Sequence, residues 1–240
     1  MSAVRPTTSL PLADEVATPA ADDPTSAAKT ASAGASATRG RRRRLRRCIG
    51  LLCDKWTRPI RERAVQFHGP LVMSTGEPLR PAVPGDAARL GEIFVRCWRS
   101  AYRGVVADEI VDGLDPAVVA RWWERLLAEH DVIVATGDGG VPVGMARYGP
   151  DPDDGGRGHL FSLYVDPDAA GAGVGRTLMG HVAAQLGAAG FTTATLWVFA
   201  ANERAIRFYR AAGWEPTGEE RVEDEWGAPE IQLATELTQR

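Results

Sequence analysis

The chain is short of sulfur. Its cysteines are Cys48, Cys53 and Cys97, too few for a disulfide framework and wrongly spaced for a tetrahedral zinc site. That scarcity fits a reducing interior, so a cytoplasmic protein is expected. Long apolar runs are also missing, and nothing approaches the roughly 18 residues of a membrane span. Arg39 to Arg47 followed by Cys48-Ile49-Gly50-Leu51-Leu52-Cys53 mimics a secretory signal. Its apolar part is only about six residues and begins too far from Met1 for export. Residues 1 to 40 lack large apolar side chains almost entirely. They cannot bury enough surface to offset chain entropy, so a disordered tail is expected.

What charge there is lies unevenly. The whole chain carries 28 basic and 31 acidic side chains over 240 residues. Residues 1–72 hold 13 Lys/Arg against 6 Asp/Glu, a net of +7, which leaves −10 for residues 73–240. A boundary near Met73 follows, with an arginine-rich extension before it and one folded domain after it. The block Arg39-Gly40-Arg41-Arg42-Arg43-Arg44-Leu45-Arg46-Arg47 reads first as a solvated tail. A weak contact with nucleic acid or anionic lipid is its functional alternative. Residues 48–67 have the makings of a short helix with Leu51, Leu52, Trp56 and Ile60 on one face. Met73-Ser74-Thr75-Gly76-Glu77 resembles a fresh protein start, which makes Met73 the expected biological initiator.

Downstream, strands and helices alternate. Leu79-Arg80-Pro81-Ala82 reads as an edge strand because of its proline. Asp86 is placed to cap a helix with Leu90, Ile93, Phe94 and Cys97 inward. A second helix is expected over Pro116 to Glu129. Asp131 to Thr136 and Val141 to Tyr148 flank Gly137-Asp138-Gly139-Gly140, a hairpin signal. Pro150 to Gly158 is an acidic, glycine-rich loop. Leu160-Phe161-Ser162-Leu163-Tyr164-Val165 is rich enough in branched and aromatic residues for a buried strand, stopped by Asp166-Pro167. A helix from Val174 to about Ala189, a strand at Thr193 to Val198, a helix carrying Tyr209 and a closing pair of strands (Trp214 to Glu219, Glu230 to Leu237) follow.

The stretch between the buried strand and the Val174 helix carries chemistry. Gly171-Ala172-Gly173-Val174-Gly175-Arg176-Thr177 joins a strand end to a helix start, where glycines admit a phosphate and the free N–H groups face it. A dinucleotide fingerprint would need its third glycine one residue later, where Arg176 stands. No acidic residue ends the following strand to hold a ribose. A P-loop would need a lysine, and the loop has none. A second motif follows about 30 residues on. Asn202-Glu203-Arg204-Ala205-Ile206-Arg207-Phe208-Tyr209-Arg210-Ala211-Ala212-Gly213-Trp214 sets Ala205, Phe208, Tyr209 and Ala212 at helical spacings, with Gly213 at the C-terminal end.

These two motifs, G-x-G-x-G-[RK]-x-L-[ML] after a V-[DH]-P strand end and N-x-x-A-x-x-F-Y-x-x-x-G-[FW], resemble those of the GNAT superfamily of N-acetyltransferases. The resemblance covers roughly Leu79 to Leu237. It implies an α/β fold, with a mixed, mostly antiparallel sheet of about seven strands flanked by about four helices. The fourth and fifth strands would splay apart to admit a pantetheine arm. It further implies acetyl-CoA as co-substrate, held at its pyrophosphate by N–H groups from Gly171 to Arg176, with Thr177 in the same first turn. The backbone of Leu163, Tyr164 and Val165 would pair with the arm, and Asn202 would hydrogen-bond it. Tyr209 would protonate the departing thiolate, and His159, four residues before Leu163, is the candidate general base. One departure stands out: the family usually has Gln or Arg where this chain has Ala170.

Trp98, Tyr102 and Trp122 fall where the family builds one wall of the acceptor site, although aromatics at helical spacing also serve as core. Glu223, Asp224 and Glu225 would draw in a cationic amine, or else form a solvated loop. The expected activity is acetyl transfer from acetyl-CoA to a primary amine by direct attack, the amine being a small molecule or a protein amine. No cysteine lies near either motif to carry the acyl group. The rival reading is a catalytically idle acyl-CoA-binding sensor. Neither acceptor identity nor homodimer formation is legible here.

Overall fold

The computed structural model describes residues 79–224 and 226–238. The arginine block, the short helix at 48–67, Met73 and Glu225 lie outside the described residues. The elements are β1 (Leu79–Pro81), α1 (Ala87–Ala101), α2 (Asp108–Asp112), α3 (Pro116–Glu129), β2 (Val132–Thr136), β3 (Pro142–Pro150), β4 (Gly158–Val165), α4 (Val174–Ala188), β5 (Thr193–Phe199), α5 (Glu203–Ala211), β6 (Glu215–Val222) and β7 (Pro229–Glu236).

The seven strands form one sheet in the order β1-β2-β3-β4-β5-β7-β6. All neighbours are antiparallel except β4 and β5. That single parallel pair is forced by the crossover through α4, which returns the chain to the edge from which β4 set out. The β-branched run of β2 is buried at every position, as a strand covered on both faces must be.

Two apolar layers sandwich the sheet. On one face, Leu90, Phe94 and Trp98 of α1 and Trp122, Trp123 and Leu126 of α3 pack with Val134 of β2 and Met145 of β3. On the other, Leu178, Val182 and Leu186 of α4 meet Ala146, Leu160 and Leu196. No helix among the described residues is long and apolar enough to cross a membrane.

Asp86 departs from its expected role. Its side chain makes no bond to the α1 first turn. Instead its carboxylate accepts the Val83 N–H at 2.8 Å and two Arg80 guanidinium bonds at 2.7 and 2.8 Å. The buried carboxylate does better with a charged, bidentate partner than with one more backbone N–H. The Arg80 bond holds its carboxyl below the usual carboxylate range, and the pairing ties the start of α1 to β1.

Between β4 and β5 the sheet opens. Their pairing covers only Gly158↔Ala194, His159↔Thr195 and Leu160↔Leu196. β3 accompanies β4 as far as Val165, and β7 accompanies β5 as far as Phe199. Along β3, Tyr148 pairs with Leu160 and Arg147 with Ser162, so Phe161 is the extra residue of a bulge. A bulge bends its strand and increases its twist, and it sits where β4 leaves β5. Beyond it, residues 161–165 keep an edge with no strand partner on the β5 side.

Candidate active site

The glycine loop lies at the open end of that gap. Gly171 has φ 89° and Gly173 φ 96°, left-handed backbone that a side chain would strain. Gly173 is the N-cap of α4. The N–H groups of Arg176 and Thr177 turn back onto its carbonyl at 2.9 and 3.0 Å. The N–H groups of Gly171, Gly173, Val174 and Gly175 have no acceptor among the described residues. Four donors at the positive end of a 15-residue helix fit a diphosphate.

Gly175 is needed for another reason. A Cβ there would sit 3.3 Å from the Phe208 ring and 3.6 Å from Val165, so its absence lets α4 close on α5. Arg176 is exposed beside the loop. The Thr177 hydroxyl is committed to the Gly173 carbonyl at 3.3 Å. Ala172 lies exposed between the two left-handed glycines.

What holds the loop is absent from any local pattern. Asp166, 2% exposed, accepts from Arg89 at 2.5 Å and Arg96 at 3.0 Å, both on α1, and from the Asp168 N–H at 3.0 Å. Arg96 also reaches Asp168 at 2.8 Å. The turn at Pro167–Ala169 that launches the glycine loop is therefore clamped to α1. A V-D-P strand end announces only a stop. Its partners stand 70 and 77 residues away.

The unpaired edge of β4 faces two directions. Leu163 and Val165 pack with the α4 layer, and Tyr164 packs with the α1 layer. The Tyr164 hydroxyl accepts from the Trp98 indole at 3.3 Å, and the Val165 carbonyl accepts from the Cys97 thiol at 3.0 Å. Burial pushes that thiol up to about 12, so Cys97 is a neutral donor rather than a nucleophile.

Across the gap, Asn202 caps α5 through its carbonyl oxygen, which takes the Ala205 N–H at 3.1 Å. Its amide NH₂ remains able to donate. Tyr209 is half-buried against Phe208 and Trp214. Burial pushes its hydroxyl up to about 12, and that hydroxyl has no hydrogen-bond partner among the described residues. It stays protonated through the neutral range. The Tyr102 hydroxyl is raised by burial and then by Tyr164 and Tyr209.

The three candidate acceptor-wall aromatics divide. Tyr102 is half-buried, against Phe199 at 5.0 Å and Trp98 at 4.8 Å between ring centroids. Trp98 is buried within an aromatic cluster with Phe94 and Trp226. Trp122 meets Phe94 and Trp123 in the layer between α1 and α3.

His159 is buried, 6% exposed, and burial lowers its pKa. It stands on the α1 face of the sheet beside Phe161, 4.8 Å between rings. Arg147 lies over the same Phe161 ring, 4.3 Å from its centroid, and Arg221 lies 4.2 Å from the Trp197 centroid. Arg221 is in turn held by Glu223 at 3.2 Å and Glu230 at 2.7 Å. Glu223 is thus committed to an ion pair, while Asp224 is exposed.

The model of the "Acetyltransferase (GNAT) family" matches residues 88–214. The chain belongs to that family. It is 28% identical over 148 residues to the uncharacterized N-acetyltransferase YuaI of Bacillus subtilis, spanning 60% of this chain and 84% of that one. It is 31% identical over 137 residues to the peptidyl-lysine N-acetyltransferase YjaB of Salmonella typhimurium, spanning 56% and 83%. Among solved structures, a GCN5-related N-acetyltransferase from Rhodopseudomonas palustris superposes with a TM-score of 0.56 at 29% identity, over 70% of this chain and all of that one. The seven-stranded sheet with its gap between β4 and β5 is the GNAT fold, and the protein is an acetyltransferase.

Proposed function

We propose that the protein transfers an acetyl group from acetyl-CoA to a primary amine by direct attack, in residues 73–240, as a cytoplasmic enzyme. The observation that carries this reading is the unpaired edge of residues 161–165, ending at four unengaged N–H groups. A pantetheine arm can add to that edge as an extra strand does, with its diphosphate at Gly171, Gly173, Val174 and Gly175. Arg176 adds charge at the same end. Ala170 supplies no side-chain donor, so the backbone cradle bears most of the diphosphate contact.

With the thioester held along Leu163 to Val165, a backbone N–H of that edge polarises its carbonyl. The amine enters from the α1 face, where Tyr102 forms part of the wall. His159 accepts the amine proton, directly or through water. The carbon–sulfur bond breaks as the carbon–nitrogen bond forms, and Tyr209 gives its phenolic proton to the sulfur. The Asn202 NH₂ steadies the arm while its oxygen caps α5. No acyl-enzyme is needed: Cys97 is spent on Val165 and is held neutral by burial.

Two kinds of acceptor deserve the first trials. The likeness to a peptidyl-lysine N-acetyltransferase makes a lysine-containing peptide the first, and small primary amines are the second. The decisive comparison is Tyr209→Phe in the full chain. CoA affinity measured by calorimetry should hold, while CoA release with a lysine peptide or small amine falls at least about tenfold. Equal turnover would remove Tyr209 from the mechanism. An idle acyl-CoA binder would bind CoA and release none with any amine.

A further inference from the structure

Beside the gap lies a buried polar chain that neither phosphate holding nor thiolate protonation uses. Thr195 of β5 stands directly opposite His159 in the parallel pair. Its Oγ1 lies 2.7 Å from His159 Nδ1 and 2.7 Å from Asp151 Oδ2. Asp151 begins the loop after β3. It takes the Arg157 Nε–H at 2.7 Å and the Asp153 N–H at 2.9 Å. His159 Nδ1 is 3.6 Å from Asp151 Oδ2, so the hydroxyl is the shorter route between them.

Counting protons gives the chain a direction. Burial alone would raise the Asp151 carboxyl. The hydrogen bonds from His159, Thr195 and the Asp153 N–H outweigh it and hold the group well below the carboxylate range. An ionised carboxylate only accepts. The single Thr195 proton therefore goes to Asp151, and the Thr195 oxygen can only accept from His159. Nδ1 must then carry a hydrogen, and in the neutral ring Nε2 is left with its lone pair. Nε2 has no hydrogen-bond partner among the described residues.

We propose that Asp151 and Thr195 are positioning residues that lock His159 in its Nδ1–H tautomer, aim the ring, and leave Nε2 as the proton-accepting atom. The inference rests on reading His159 as the general base. It adds which nitrogen does the work and which two residues choose it. The register makes the arrangement rigid: β4 and β5 pair at this level and separate just beyond it. The charged groups bearing on the ring are Asp151 and Arg157 from the loop, Arg147 from β3 and Arg221 from β6. None of the three arginines can accept the Nδ1 hydrogen.

The test is long-range proton–nitrogen NMR of the ¹⁵N-histidine-labelled full chain near pH 7.5, with His159→Gln used to identify the His159 signals among the four histidines. The expected pattern is Nδ1–H with an unprotonated Nε2. Asp151→Ala takes away the acceptor of the Thr195 hydroxyl, which is then free to turn to Nδ1, so the Nδ1–H preference is lost and CoA release with a lysine peptide drops about tenfold or more. Thr195→Val loses the tautomer preference, and Thr195→Ser restores it. An Nε2–H ring in the unaltered protein overturns the relay even if no variant folds. An unchanged pattern in Asp151→Ala overturns it too. Undiminished turnover in His159→Gln overturns the base assignment instead, whatever tautomer the ring adopts.

Discussion

Gly173 is the residue at which the cradle can be tested with one methyl group. Its φ of 96° is a conformation that costs an L-residue about 1–2 kcal/mol relative to glycine. A Cβ there meets nothing within 4 Å, so Gly173→Ala acts through backbone strain and not through collision. That cost must appear somewhere. If the loop keeps its shape without ligand, the free protein loses the whole amount in stability. A domain of this size then melts roughly 2–8 °C lower with its CoA affinity intact. If the free loop relaxes instead, binding must restore the strained form. Affinity then falls by about 5- to 30-fold while the melting temperature holds. The two losses should sum to about 1–2 kcal/mol.

Calorimetric titration of CoA into the full-length variant, with a thermal melt of the same sample, measures both. Gly180→Ala is the control. Gly180 lies exposed in the middle of α4, again with nothing within 4 Å, and its backbone is helical. Alanine there should raise stability by about 0.5–1 kcal/mol and leave CoA binding alone. A Gly173→Ala protein with unchanged melting and unchanged affinity would refute the account of the cradle.

Asp166→Ala should destabilise by about 1–3 kcal/mol, because Arg89, Arg96 and the Asp168 N–H lose a shared buried acceptor, while the part-exposed arginines keep Glu92 and Asp168. CoA affinity should fall with it as the loop comes free of α1; a thermal melt and a titration check both. Cys97→Ala should keep CoA release within about twofold of the parent, since the thiol only donates to the Val165 carbonyl. Loss of turnover with the fold intact would reopen a covalent route. Acid should destabilise the fold in two stages. Burial depresses His159, so the unfolded chain binds its proton first, and stability present above about pH 6.5 is lost as pH falls through the folded pKa. Asp151, also depressed, adds a second loss as pH falls below its unfolded value of 3.8. Melting curves from pH 7.5 to 3 should therefore slope downward toward acid, with the upper stage reduced in His159→Gln to the part that His181, also depressed by burial, supplies.

Local chemistry determined a large part of this protein from sequence alone. A hydrogen bond or an apolar stripe within one element depends on residues a few positions apart, so the hairpin at Gly137–Gly140, the extent of α3 and the start of α4 were legible residue by residue. The two motifs were legible for the same reason: the glycine loop and its helix are one continuous stretch, as is the α5 segment from Asn202 to Trp214. The five-residue α2 carried no periodicity long enough to see.

Tertiary structure decided whatever joins residues far apart. Asp166 reads as a strand end until α1 brings Arg89 and Arg96 to it. Asp86 reads as a helix cap until β1 sets Arg80 beside it, and a bidentate cation then displaces the local bond. His159 reads only as a histidine just ahead of the Leu160 strand. Pairing of β4 with β5 buries it and sets Thr195 and Asp151 in line with one of its nitrogens. The separation of those strands beyond Leu160 depends on a bulge, which is a mismatch between two strands and has no meaning in either one. Composition and spacing could place the glycine loop; the slot that leads to it exists only once the sheet has formed.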